Sequence, residues 1–301
     1  MKDYIVFSIS THKTLAKDFA KFWNCQLGKV QLDKYADGEV WVRPLTDVKD
    51  KDVILIESTE KKPNDHIGQI LMLLDALNRG QAKSITLIIP YLSYCRQSRT
   101  EAKNDPLSSQ VFAKVLETAQ YTRLLSFDLH HPDVTKFFTR GVKNLQTTEI
   151  FLNYYNNYFY ENNINKKDVV IVAQDHGANA RADSLTFSIR GAKRVILSKV
   201  KQDDGKPEKL ELSCDVTGKT CIIIDDFILT GNTIAKAAKL LYKKGAKTVL
   251  ACATHGLFTK DAVETIKKSG VKDIVVSNTV EQDSKLDVNV VDILPIIIQN
   301  I

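Results

Sequence analysis

The chain has 301 residues, 44% of them hydrophobic and 26% charged, with 42 Lys and Arg against 36 Asp and Glu. That length suits two soluble globular domains of about 150 residues, and the modest surplus of +6 is dispersed rather than run together, so small anionic substrates fit it better than a nucleic acid. The five cysteines are odd in number and form no C-x-x-C, which excludes a disulfide framework or a zinc site and points to a reduced, cytoplasmic setting. No apolar run reaches the roughly 18 residues of a membrane span, and the N-terminal stretch is too short and too acidic for a signal segment.

Short β-branched runs alternate with helical patterns along the chain, which predicts α/β architecture with mainly parallel sheets. In the first half, strands are expected at Ile5–Ile9, Val53–Glu57, Ile85–Ile89 and Leu124–Asp128, with helices at Thr14–Asn24, Asp65–Asn78 and Ser108–Glu117. Ile67, Ile70, Leu71, Leu74 and Leu77 share one face of the second helix and read as core. Asp37-Gly38 marks a hairpin turn. No Pro/Gly/Ser linker divides the halves; the expected seam is Lys143–Thr147, giving domains 1–145 and 146–301. The second half offers helices at Thr148–Asn157, Ala178–Ser188, Ile234–Lys244 and Asp261–Lys268. Its strands are expected at Val169–Ala173, Arg194–Lys199, Cys221–Ile224, Thr248–Ala253 and Ile274–Ser277.

The densest chemistry lies in Thr220–Ile234, TCIIIDDFILTGNTI. Cys221–Ile224 is the apolar run of a strand buried on both faces. Asp225 and Asp226 fall where that strand should end, at the edge where open α/β sheets bind ligands. Thr230, Gly231, Asn232 and Thr233 then bring N–H groups and hydroxyls to a helix N-terminus, which suits a phosphate. Two carboxylates beside a phosphate cradle suit a sugar phosphate, the acids meeting its hydroxyls or a bound Mg²⁺.

This segment resembles the phosphoribosyl-binding loop of the phosphoribosyltransferase superfamily. Further motifs between about Tyr4 and Val280 narrow the resemblance to the ribose-phosphate pyrophosphokinase family. It implies two similar domains related by approximate twofold symmetry, with the last residues packing on the first. It also implies transfer of pyrophosphate from ATP to ribose 5-phosphate with Mg²⁺, in a homo-oligomer without nucleic-acid or membrane partners. Carried over residue by residue, Tyr35 stacks on adenine, with Asp37 and Glu39 meeting the base across a subunit boundary. Arg96, Gln97 and Arg99 form the nucleotide loop, and His130 and Asp175 are the metal ligands, His130 also meeting ATP. Lys199 and Lys201 are the cations of a mobile flap, with Arg96 a third catalytic charge. Asp225, Asp226 and Thr230–Thr233 hold ribose 5-phosphate.

Four positions depart from the family pattern. Ser98 stands for Asp, Ala178 for Gly, Lys201 for Arg, and Leu229 for a third Asp before the loop threonine. The alternatives to a pyrophosphokinase are a non-catalytic regulatory homologue and a phosphoribosyltransferase that consumes the activated sugar.

Overall fold

The computed structural model describes residues 4–100, 102–174, 179–200, 209–259 and 261–301, with the backbone alone at 179, 198–200 and 209–211. The chain divides into two compact units. The first comprises Met1–Leu145, Thr279–Glu281 and Leu294–Ile301, and the second Gln146–Asn278 and Gln282–Ile293.

In the first unit the chain runs β1 (Tyr4–Phe7), α1 (Lys13–Trp23), β2 (Gln26–Leu27), β3 (Val30–Lys34), β4 (Val40–Pro44) and β5 (Asp52–Ile56). It continues through α2 (Pro63–Arg79), β6 (Ser84–Ile89), α3 (Ser108–Thr118), β7 (Arg123–Phe127) and β8 (Val142–Leu145). Six strands form one parallel sheet in the order β2-β1-β5-β6-β7-β8. The central strands read YIVF, DVILI, SITLII and RLLSF, apolar on both faces as an internal parallel strand must be. The expected stripe on α2 is core: Ile70, Leu74 and Leu77 are fully buried with Leu73, while Ile67 and Leu71 pack at its margin. Strands β3 and β4 form a separate antiparallel ribbon, an element the sequence signalled only by its Asp-Gly turn. Its mixed pattern, VQLDK and VWVRP, leaves mostly half-buried and exposed positions, so no clean alternation announces it.

In the second unit α4 (Thr148–Glu161) leads into β9 (Val169–Ala173), α5 (Asn179–Ser188), β10 (Lys193–Val200), β11 (Lys209–Leu212) and β12 (Thr220–Ile228). There follow α6 (Asn232–Lys243), β13 (Thr248–Gly256), α7 (Ala262–Lys268), β14 (Asp273–Ser277) and β15 (Asn289–Val291). The sheet order is β11-β10-β9-β12-β13-β14-β15, parallel except for the edge strand β11. Without β11, both sheets place their second strand outside the first and every later strand on the other side. The switch point therefore falls between β1 and β5 in one unit and between β9 and β12 in the other. Ligands of such sheets bind there, outside the carboxyl ends of the strands. The closing helix α8 (Leu294–Asn300) belongs to the first unit, where the Arg123 guanidinium reaches the carbonyls of Asn300 and Ile301, each at 3.4 Å.

Candidate functional site

The second unit's switch point gathers polar groups from three elements. Strand β12 does not stop at Ile224, as the sequence led one to expect, but runs through both acids to Ile228. The extension is held by β13 alone, Phe227 opposite His255 and Ile228 opposite Gly256, because β9 ends at Ala173. Successive strand residues alternate faces, so Asp225 and Asp226 diverge rather than standing side by side at a strand end. Each carboxylate accepts the N–H of the residue after it, at 2.9 Å for Asp225 and 3.0 Å for Asp226.

Gln174, at the end of β9, donates its amide to Asp225 Oδ2 at 3.2 Å, while its own Oε1 is buried with no hydrogen-bond partner among the described residues. Asp226 is buried and meets Arg181 of α5, Nη2 to Oδ2 at 3.5 Å; the guanidinium Nε is likewise buried and has no partner among the described residues. Burial, and then the charge of Asp226, push the Asp225 carboxyl well above the usual carboxylate range. An acceptor and a donor left unsatisfied beside a destabilised carboxylate are groups that a polyhydroxylated ligand would satisfy. Gln174 and Arg181 were not singled out in the sequence. A Gln beside a candidate acid, and an Arg one turn into the next helix, were the available signals.

Beyond β12 the chain turns at Leu229, Thr230 and Gly231 into α6, whose first residue is Asn232 rather than the expected Ile234. Gly231 sits at φ +72°, and a Cβ there would lie 2.7 Å from both the Ala262 carbonyl oxygen and Ile266 Cγ1. Only glycine fits. The turn is braced from behind. Leu229's carbonyl accepts from the Thr259 N–H at 2.8 Å and hydroxyl at 3.0 Å, and Ile228's from the N–H groups of Leu257 and Phe258. Leu229 thus contributes a backbone anchor to the turn. Thr230, Asn232 and Thr233 remain exposed around the helix N-terminus.

Lys199 lies in β10 opposite Leu210 of β11, so it stands on one arm of an antiparallel hairpin. Lys201 and Asp175 fall outside the described residues.

The other candidates belong to the first unit. Tyr35, Asp37 and Glu39 occupy the tip of the β3–β4 hairpin, closed by the Tyr35 N–H on the Glu39 carbonyl and by the Glu39 N–H on Asp37 Oδ1. Tyr35 is 58% exposed. Arg96, Gln97 and Arg99 lie on the loop after β6, at the carboxyl edge of the sheet, where both arginines are exposed. Arg96 reaches the Tyr91 hydroxyl at 3.4 Å. The Gln97 side-chain oxygen is taken by Ser108 at 2.6 Å, and its carbonyl accepts from the Ser109 N–H and hydroxyl. His130 is exposed just past the adjacent strand β7, beyond a buried Asp128 held at φ +34°. His131 instead caps a short 3₁₀ turn, its Nδ1 accepting the Asp133 N–H. Among the described residues no three His, Cys, Asp or Glu side chains cluster as a metal site, and no helix is long and apolar enough to cross a membrane.

A carboxylate pair and a braced Thr/Gly turn at the switch point of a parallel sheet, on a chain of two such units, define the phosphoribosyltransferase-like class. Residues 4–119 match the family model for the N-terminal domain of ribose phosphate pyrophosphokinase, and residues 199–301 that of the phosphoribosyl synthetase-associated domain. A ribose-phosphate pyrophosphokinase of Bacillus cereus is 36% identical over 97% of this chain and 91% of its own length. The Bacillus subtilis protein of the same name is 36% identical over 93% and 86%. The crystal structure of phosphoribosylpyrophosphate synthetase from Mycobacterium smegmatis superposes with a TM-score of 0.90 and 29% identity, covering 99% of this chain and 97% of that one. The chain belongs to the ribose-phosphate pyrophosphokinase family.

Proposed function

We infer that this protein is a ribose-phosphate pyrophosphokinase that moves a pyrophosphoryl group from ATP to the C1 hydroxyl of ribose 5-phosphate. The near-full-length relatives of that name carry the reading. In the reaction the C1 oxygen bonds to the β-phosphorus and the bond from that phosphorus to the α,β-bridging oxygen breaks. AMP leaves with the bridging oxygen, and the C1 hydroxyl proton passes to solvent.

The residues take the following roles. Thr230–Thr233 hold the 5-phosphate with N–H groups and hydroxyls at the start of α6. Asp225 and Asp226 accept from the ribose hydroxyls, with Gln174 and Arg181 orienting them. Such contacts fix the sugar so that C1 meets phosphorus in line, and positioning supplies much of the rate. Arg96 and Arg99 meet phosphate oxygens and Gln97 the adenine; Tyr35, Asp37 and Glu39 of a second subunit complete the base site. Lys199 and Lys201 neutralise charge developing on the transferred group. Lysine at 201 keeps the charge but gives up the bidentate fork of an arginine.

The carboxylates, with Gln174 Oε1 buried beside Asp225 and without a partner among the described residues, offer oxygen donors of the kind that suit a hard divalent cation. We propose Mg²⁺, for which His130 in the first unit and Asp175 in the second are each candidate ligands that would act beside substrate oxygens. When bound it supplies Lewis-acid charge stabilisation on the phosphates. We place the protein in the cytoplasm as a homo-oligomer.

Phosphorus NMR with ATP, Mg²⁺ and ribose 5-phosphate tests the reading. AMP and phosphoribosyl pyrophosphate should appear together and vanish in Lys199→Ala. Folded protein that binds ATP but forms no product would point instead to a regulatory homologue.

A further inference from the structure

We propose that the amino edge of the second unit's sheet, the end opposite the carboxyl-edge site, binds single-stranded nucleic acid. The lysines that look dispersed in the sequence converge there. Lys193 opens β10, Lys167 lies just before β9, and Lys219, Lys247 and Lys272 directly precede β12, β13 and β14. These strands are neighbours in the order β10-β9-β12-β13-β14. At about 4.8 Å per strand they set one lysine per strand along roughly 19 Å, a span of several phosphates.

The helices add to the row, because each runs antiparallel to its strands and ends at this edge. Arg190 follows α5, Lys243 and Lys244 close α6, and Lys166 stands before β9. All nine cations are exposed except the half-buried Lys219. The acids at the same edge are Glu161, Asp168, Asp215, Asp273 and Asp287; Asp273 is buried between Tyr154 and Asn289, and Asp287 pairs with Lys267 of α7 at 3.0 Å. Among the described residues the one ion pair made by the nine cations is Lys219 with Asp168, at 2.5 Å. Complementing helix C-termini accounts for Lys243, Lys244 and Arg190, but not for lysines at the strand starts.

A second observation identifies the partner. Tyr160 and Phe187 are 87% and 89% exposed, more than any other large hydrophobic side chain among the described residues. Tyr160 lies in the last turn of α4 and Phe187 in the last turn of α5. Both helices line the same face of the sheet, where Phe151, Tyr155 and Phe159 pack with Ala182, Leu185 and Ile189. Both aromatics therefore stand at the cationic edge. Lys167 is beside Gly191, two residues before Lys193, which joins the α5 end to the row.

Nothing in the core needs these rings, and water does not favour them. Aromatic faces beside a phosphate-spaced cation row form the surface on which unpaired bases stack while the backbone tracks the charge. A duplex keeps its bases stacked and offers the rings nothing. An anionic membrane would want a contiguous apolar face; the only other exposed large hydrophobic in this unit, among the described residues, is Val290.

The test is fluorescence anisotropy with labelled oligouridine and oligodeoxythymidine of about 20 nucleotides, and an RNA duplex of equal length, at ~0.05 and ~0.2 M salt. Both single strands should bind and weaken steeply with salt, and the duplex should bind less. Tyr160→Ala and Phe187→Ala should each weaken binding roughly tenfold. Lys166→Glu with Lys167→Glu should also weaken it, and pyrophosphokinase activity should be unchanged in all variants. No binding by the wild type at low salt, equal binding of duplex and single strand, or full affinity in the Tyr160→Ala/Phe187→Ala double variant would each overturn the proposal. So would a changed oligomer mass in that double variant, which would make the rings a contact between copies, or capture by anionic vesicles that outcompetes the oligonucleotides.

Discussion

Replacing Gly231 by alanine asks whether the turn between β12 and α6 holds substrate through its exact backbone shape. Two costs follow from the geometry. At φ +72° an L-residue meets a left-handed penalty of about 1–2 kcal/mol that glycine escapes. The new Cβ also meets the Ala262 carbonyl oxygen and Ile266 Cγ1, each at 2.7 Å, inside any contact a carbon tolerates. Relieving that overlap means moving α6 away from α7, an overpacking cost of about 1–3 kcal/mol. Together they predict a loss of about 3 kcal/mol in urea unfolding. The displacement falls on Thr230, Asn232 and Thr233, so the KM for ribose 5-phosphate should rise roughly tenfold or more while the KM for ATP stays put. A variant within about 0.5 kcal/mol of wild type, with an unchanged ribose 5-phosphate KM, would refute the reasoning.

Arg181→Met removes the cation paired with buried Asp226 and should cost about 3 kcal/mol, with a raised ribose 5-phosphate KM partly restored in Arg181→Lys; unfolding and initial-rate kinetics read both. Tyr35→Ala should raise the KM for ATP alone, and specific activity should fall on dilution as subunits separate; a verified monomer at full activity would sink the assignment. Glu57 makes a pH prediction. Burial raises its carboxyl to about 7, above the unfolded value, so the native state holds a proton more tightly between about pH 4.5 and 7. That contribution is complete below the unfolded value and is lost as pH rises through 7, a change of about 3 kcal/mol. Buried His12, lowered to about 4, has the opposite slope and loses its contribution as pH falls, so the wild-type profile alone does not isolate Glu57. The difference between wild type and Glu57→Gln does, and parallel profiles for the two proteins would contradict the assignment.

What could be read from the sequence follows from where the information is local. An amphipathic stripe such as Ile70–Leu77, or a continuous run such as VVIVA in β9, commits its residues to the core whatever surrounds them. The acids of β12 were identified but misplaced. Asp is disfavoured in strands, so Asp225-Asp226 looks like a terminus, yet pairing with β13 carries the strand two residues further. With the strand extended, the acids lie on opposite faces and need different partners, Gln174 and Arg181. Those partners come from β9 and α5, some 45 to 50 residues earlier, and no local pattern ties them to Asp225 or Asp226. The amino-edge cations were hidden for the same reason: parallel topology brings strand starts together from sequence positions far apart.

The two switch points show how one topology holds two chemistries. In the first unit, the N–H groups of Ile9, Ser10 and Thr11 after β1 all turn onto the Glu57 carboxylate at the end of β5, joined by the Ser10 hydroxyl at 2.8 Å. Thr279 covers the place from above, its carbonyl meeting His12 Nε2 at 3.1 Å and accepting from the Ser58 hydroxyl at 3.2 Å. The donors that would grip a ligand anion are consumed by the protein's own side chain, and Glu57, Ser58, Thr59 and Glu60 are all buried. In the second unit the strand corresponding to β5 is β12, and beside its acids lie a glutamine oxygen and a guanidinium nitrogen with no partner among the described residues. The following turn keeps its threonines exposed. The same crevice is thus filled from within in one unit and left with open valences in the other. This contrast supports the proposal that the second unit's crevice, rather than the first's, seats ribose 5-phosphate.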